Sequence, residues 1–191
     1  MSGRAIAIGG SAGSIEVLGQ ALPALAPALG APVIVVLHLP REQPSLLCDI
    51  FVRRCRLAVC EAQDKEPLEA GTIYFAPPDY HVLVDTGPTL ALSIAPPVHF
   101  SRPSIDVLFE SAADVYGAGL TAVLLSGANA DGAQGLVAVQ RAGGRTIVQS
   151  PESARAPAMP EAALRLLQPN HLLAPEALAP LLNQLHPGRT P

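Results

Sequence analysis

The chain has 191 residues, 49% of them hydrophobic and 15% charged, with a formal net charge of −4. This balance excludes a disordered segment, and the twelve Lys and Arg are too scattered to form a nucleic-acid footprint. No apolar run reaches about 18 residues, so no transmembrane helix or direct membrane insertion is expected.

In chain order, Arg4 to Ile8 is a short apolar strand. It turns through Gly9-Gly10-Ser11-Ala12-Gly13-Ser14 into a helical pattern of Ile15, Leu18, Leu22 and Leu25. With a strand starting so early, no secretory leader is expected and the chain is placed in the cytoplasm. Ala31 to His38 is a β-branched run typical of a strand buried on both faces, closed by Pro40, and Pro44 to Arg54 has a helical pattern. Cys48, Cys55 and Cys60 match no zinc spacing and are odd in number, which argues against a disulfide framework. Thr72–Ala76, His81–Asp85 and Thr89–Ser93 alternate and are separated by turn residues, which predicts an antiparallel insertion. Ser104 caps a helix with Ile105, Leu108, Phe109 and Ala112 on one face and Asp106 in its first turn.

Leu120–Leu125 is the next buried strand. It runs into Ser126-Gly127-Ala128-Asn129-Ala130-Asp131-Gly132 and then a helix through Leu136 and Val139. A strand at Arg145–Gln149, an irregular loop from Ser150 to Pro160 and helical patterns over 161–167 and 175–185 follow. His171–Leu173 is expected as an edge strand and Pro187–Pro191 as a loose tail. The fold class is therefore α/β: a doubly wound, mostly parallel, Rossmann-like sheet with an antiparallel β insertion around residues 72–94, residues 1–191 making one domain.

Ser11 follows the first strand, His38 ends the second, and Asp131 lies in the loop after strand 120–125. Such positions share the carboxyl edge of a doubly wound sheet, where open α/β folds keep their sites. Nucleophile, base and orienting carboxylate together make a serine triad, which depends on geometry and not on chain order. The backbone N–H groups of Ala12 and Gly13, at a helix N-terminus, suit an oxyanion hole. Each side chain also has a structural explanation. Ser11 suits a turn or cap, His38 a satisfied buried position, and Asp131 with Gln134 a capping box. A dinucleotide or phosphate loop fits less well. The glycine run fails G-x-G-x-x-G, lacks the Lys-Ser/Thr pair, and is followed at the second strand end by His38 where a ribose-binding acid would stand.

Five segments in register carry a resemblance over roughly residues 4 to 185. They are Gly9–Ser14, Val36–Pro40, Tyr74–Val84, Ser101–Phe109 and Leu124–Gly135. Together they resemble the catalytic domain of the chemotaxis receptor methylesterases, the CheB family. The resemblance implies a doubly wound α/β domain that hydrolyses glutamyl methyl esters on chemoreceptors and often deamidates receptor glutamines. Its catalytic residues fall on Ser11, His38 and Asp131, and backbone N–H groups near Ala12 and Ala128 would bind the oxyanion. No metal and no organic cofactor is implied. The implied partners are methylated chemoreceptor cytoplasmic helices, with Arg102 a candidate for substrate binding, and a separate regulatory protein in place of the family's receiver domain, which is not expected here. Ala128 stands where the family often has methionine, and Ser101 where it often has histidine. A non-catalytic signalling domain of the same fold and an esterase for another acyl substrate are the alternatives.

Overall fold

A computed structural model describes residues 3–38 and 45–188. The expected strand stop at Pro40, the helix start at Pro44 and the last three residues of the tail lie outside this range.

Among the described residues, nine strands and six α-helices form in chain order: β1 (Ala5–Gly10), α1 (Ser14–Ala21), β2 (Val33–Leu37), α2 (Leu47–Val52), β3 (Ala58–Glu61), β4 (Thr72–Phe75), β5 (His81–Asp85), β6 (Thr89–Ser93), α3 (Ile105–Tyr116), β7 (Leu120–Leu124), α4 (Ala133–Arg141), β8 (Arg145–Gln149), α5 (Ala158–Leu166), β9 (His171–Leu173) and α6 (Leu178–Leu185). Seven strands make one sheet in the order β3-β4-β2-β1-β7-β8-β9, with every neighbouring pair parallel. β5 and β6 pair antiparallel in a separate ribbon.

The antiparallel insertion is thus smaller than expected. Thr72–Phe75 belongs to the main sheet, parallel to β2 with Val33 opposite Ile73, and only the 81–93 hairpin stands apart. Ile73, Tyr74 and Phe75 are consecutive and all buried, which marks a strand covered on both faces and not an alternating one. Beyond it lies β3, a half-exposed edge strand too short and mixed to show in the sequence. α5 also starts earlier than expected, inside the 150–160 segment. Pro160 is tolerated in its first turn, where a missing N–H breaks no helical bond.

The strands of the central pair are covered on both sides. Ile6 and Ile8 of β1 face a core with Val17, Leu18, Leu22, Phe51, Leu178 and Leu182. Ala5 and Ala7, on the opposite face, pack with Ile105, Leu108, Phe109 and Leu136. Small residues on that face let α3 approach closely. A Cβ on Gly9 or Gly132 would overlap the Ile105 side chain, so both glycines admit the first residue of α3 to the sheet edge. This close approach sets the end of α3 above the candidate site.

Candidate active site

β1 lies between β2 and β7, so the chain reverses direction across the sheet there. Loops after these three strands open at the topological switch point, where α/β sheets form crevices. Register puts Gly10 beside Leu37 and Gly9 beside Leu124. Backbone bonds then tie the loops together: His38 N donates to Gly10 O at 3.2 Å, and Ser11 N donates to Ser126 O at 2.9 Å. Ser14, fully buried, donates its hydroxyl to Ser126 O at 2.7 Å and accepts from Ser11 N at 3.2 Å. Ser126 Oγ in turn donates to Ala12 O at 2.7 Å. Gly13 turns the chain at φ 85°, where a Cβ would stand 2.6 Å from that of Arg155. The Ser11 loop is therefore held rigidly from beneath. Its outward amides are left over: among the described residues, the N–H groups of Ala12, Gly13 and Ala128 have no partner.

His38 and Asp131 meet. His38 Nε2 lies 2.8 Å from Asp131 Oδ2, with the imidazole 12% exposed and the carboxylate fully buried. Asp131 does not cap its own helix; Gly132 is the N-cap of α4 and receives no side-chain bond. Its carboxylate seats instead on the N-terminus of α3, accepting from Ser104 Oγ at 2.8 Å, Ile105 N at 2.7 Å and Asp106 N at 3.0 Å. Burial pushes its pKa up, but hydrogen bonds from His38, Ile105, Asp106 and Ser104 outweigh that and hold it below the usual carboxylate value. An ionised Asp131 accepts from His38 Nε2, so the proton sits on Nε2 and the lone pair on Nδ1. Nδ1 is the nitrogen left to act as a base.

That nitrogen faces Ser101, whose Oγ is 3.4 Å away. Ser101 comes from a tight turn closed by two bonds with Val98, at 3.1 and 2.8 Å. His99 and Phe100, between them, have φ of 47° and 61°. Such a turn favours Asn-Gly or Gly-Gly, and side chains here cost about 1–2 kcal/mol per residue. His99 Nε2 reaches Asp106 Oδ2 at 3.2 Å. Ser11 Oγ, by contrast, has no hydrogen bond among the described residues, so the serine–histidine contact of a triad is not formed. Arg102 is committed elsewhere: Nε and Nη2 donate to Asp79 at 3.0 and 2.9 Å, and Nη1 to the carbonyls of Ile94 and Ala95. It pins the base of the 94–103 loop.

The family model for CheB methylesterase matches residues 6–182. A Leptospira interrogans relative, provisionally named protein-glutamate methylesterase/protein-glutamine glutaminase, is 40% identical over 97% of this chain and 96% of its own length. The chain belongs to the CheB methylesterase family. A Symbiobacterium thermophilum relative named protein-glutamate methylesterase/protein-glutamine glutaminase is 35% identical over 92% of this chain, which spans about half (49%) of that longer protein. The crystal structure of the Thermotoga maritima CheB methylesterase catalytic domain superposes with a TM-score of 0.92 at 28% identity, covering 97% of this chain and 100% of that one.

In this CheB domain several contributors escaped the sequence. Ser104 is recognisable as a cap, and its side chain does accept from Val107 N at 3.5 Å. Its bond to Asp131, 27 residues on, had no local signal. Nor did the buried His81, whose Nδ1 accepts from Ser104 N at 3.1 Å and whose Nε2 donates to Pro96 O at 3.1 Å, which fixes its tautomer. His99, Asp106 and Asp131 bring ligand atoms within 4.8 Å of one another. N–H and O–H donors already point at both Asp131 oxygens, an arrangement suited to holding a carboxylate.

Proposed function

We propose that Ser11, His38 and Asp131 hydrolyse the methyl ester of a glutamyl side chain on chemoreceptor helices, in the cytoplasm. Ser11 Oγ comes within about 3 Å of His38 Nδ1 in place of Ser101. The Ser11 proton passes to Nδ1 as Oγ bonds the ester carbon, and Asp131 steadies the imidazolium through Nε2. The free amides of Ala12 and Ala128 receive the oxyanion, an interaction worth about 3–4 kcal/mol per donor in other enzymes. Protonated by His38, the methoxide leaves as methanol. A water deprotonated by the same nitrogen then releases the glutamate carboxylate and Ser11. A receptor glutamine amide would follow the same path with ammonia as the leaving group. Arg102 acts by fixing the loop that carries Ser101, not by meeting substrate.

The observation that carries this reading is the 2.8 Å bond between His38 and Asp131 at the switch point, beside the Ser11 loop. Methanol release from methylated receptor fragments tests it. Ser11→Ala should lower turnover by at least about 10⁴-fold and leave the melting temperature unchanged, because it removes one half-exposed hydroxyl. Turnover retained in that variant would overturn the assignment.

A further inference from the structure

Opposite the catalytic edge, where β1, β7 and β8 begin, Arg4, Ala118, Gly119, Arg145, Leu185 and His186 line a pocket of about 240 Å³. Arg4 precedes β1 and Arg145 opens β8, with β7 between them. Their backbones are two strand spacings apart across the sheet and two residues out of register, roughly 12 Å, a gap two arginine side chains can close around a small anion. Both residues are exposed, and neither guanidinium has an ion-pair or hydrogen-bond partner among the described residues.

His186, from the end of α6, completes the wall. It is 2% exposed, its Nε2 lies 2.9 Å from Thr121 Oγ1, and its Nδ1 is buried without a partner. Burial, then the charges of Arg4 and Arg145, push its pKa down to about 4, so the imidazole is neutral at physiological pH. Three nitrogen-bearing side chains thus line a pocket that carries no carboxylate among the described residues. A protein that folds this way leaves a concentration of positive charge for something outside itself to neutralise.

We infer that this pocket binds a phosphate dianion, free or as the terminal group of a small monoester. Two guanidinium forks match the charge and the oxygens of a dianion. The site is separate from the ester-cleaving residues and does not rest on them.

Thermal melts of the whole chain in inorganic phosphate and in chloride at equal ionic strength test the inference. At about ten times its dissociation constant, phosphate should raise the melting temperature by about 3–6 °C. The gain should vanish in Arg4→Gln and in Arg145→Gln, whose esterase activity stays at the parent level and so reports an intact fold. Glycerol phosphate, run in parallel, distinguishes the sources: a larger gain points to an ester ligand, a smaller one to free phosphate. By NMR, the His186 pKa should rise when phosphate saturates the pocket, and also when either arginine is replaced. No gain over chloride, or an equal gain in succinate, would overturn the assignment to phosphate. A gain undiminished in both arginine variants would place the anion elsewhere and overturn the site.

Discussion

At the carboxyl edge of the sheet the Asp131 carboxylate collects four donors from His38, Ser104, Ile105 and Asp106. At the amino edge Arg4 and Arg145 crowd a buried imidazole with no counter-charge on the pocket wall among the described residues. Both edges gather charge on a parallel sheet, but the first satisfies it internally and the second does not. The difference follows from what each loop can reach. The segment between β6 and α3 carries the N-terminus of α3 to Asp131 in the loop after β7, so that N-terminus becomes a ready anion seat. β7 and β8 are entered by short connections that bring side chains but no helix N-terminus. An internally paired edge is suited to fix one geometry for chemistry; an unpaired one is suited to receive a ligand.

Breaking the paired edge should produce the largest effect. In Asp131→Asn the amide nitrogen must replace one of two oxygens, and each oxygen now faces a backbone N–H. At Oδ2 it meets Ile105 N–H and can donate to His38 Nε2, which moves the ring proton to Nδ1, the wrong tautomer for a base. At Oδ1 it meets Asp106 N–H. Turnover should fall about 10⁴-fold, and stability by about 1–3 kcal/mol for a buried N–H left without an acceptor. Denaturant unfolding and methanol release together check both. A fully active, fully stable variant would show that the four donors do not define this edge.

The sheet was largely legible because buried parallel strands announce themselves. Val33–Leu37 and Leu120–Leu124 are continuous apolar runs, and glycine-rich turns mark the ends of β1 and β7. Thr72–Phe75 carried the same mark but stood next to a true hairpin, and the neighbouring alternation drew it into the wrong sheet. The His38–Asp131 pairing was legible from strand ends alone. The seat of Asp131 was not, because Gln134 suggested a local cap while the real partners lie 25–27 residues back, on another helix. Nor was Ser101 against Nδ1: a turn of His and Phe at positive φ runs against the residue preferences from which turns are recognised.

Asp106 sharpens the comparison from within the paired edge. It is 5% exposed and receives a single backbone donor, Gly135 N at 2.6 Å, with His99 on its other oxygen. Burial, with added repulsion from Asp131 and Glu110 against the pull of Gly135 N and His99, raises its pKa from 3.8 to about 6. A carboxyl whose folded pKa is raised binds its proton more tightly when folded. Its ionisation therefore costs stability in full above about pH 6, and this cost is gone below about pH 4. Asp106→Asn keeps an acceptor for Gly135 N and a donor for His99, and removes the charge. It should stabilise the fold by about 1–3 kcal/mol at pH 8 and by little at pH 3.5. Chemical denaturation at the two pH values checks this, and an equal gain at both would mean that charge is not the cause.

The smallest effect should come from Ser101. Its hydroxyl faces His38 Nδ1, yet at 3.4 Å the bond is long and worth about 0.5 kcal/mol. If Ser11 is to use the same lone pair, Ser101 competes with it and must yield in each turnover. Ser101→Ala should then leave kcat/KM unchanged or raise it about two-fold, with KM unaffected. The strained turn stays in place because its backbone bonds to Val98 and the His99–Asp106 contact do not involve the hydroxyl. A ten-fold loss instead would mean that Ser101 orients the imidazole for catalysis. The carboxyl edge would then depend on a fifth bond, from Ser101 to His38, as much as on the four that hold Asp131.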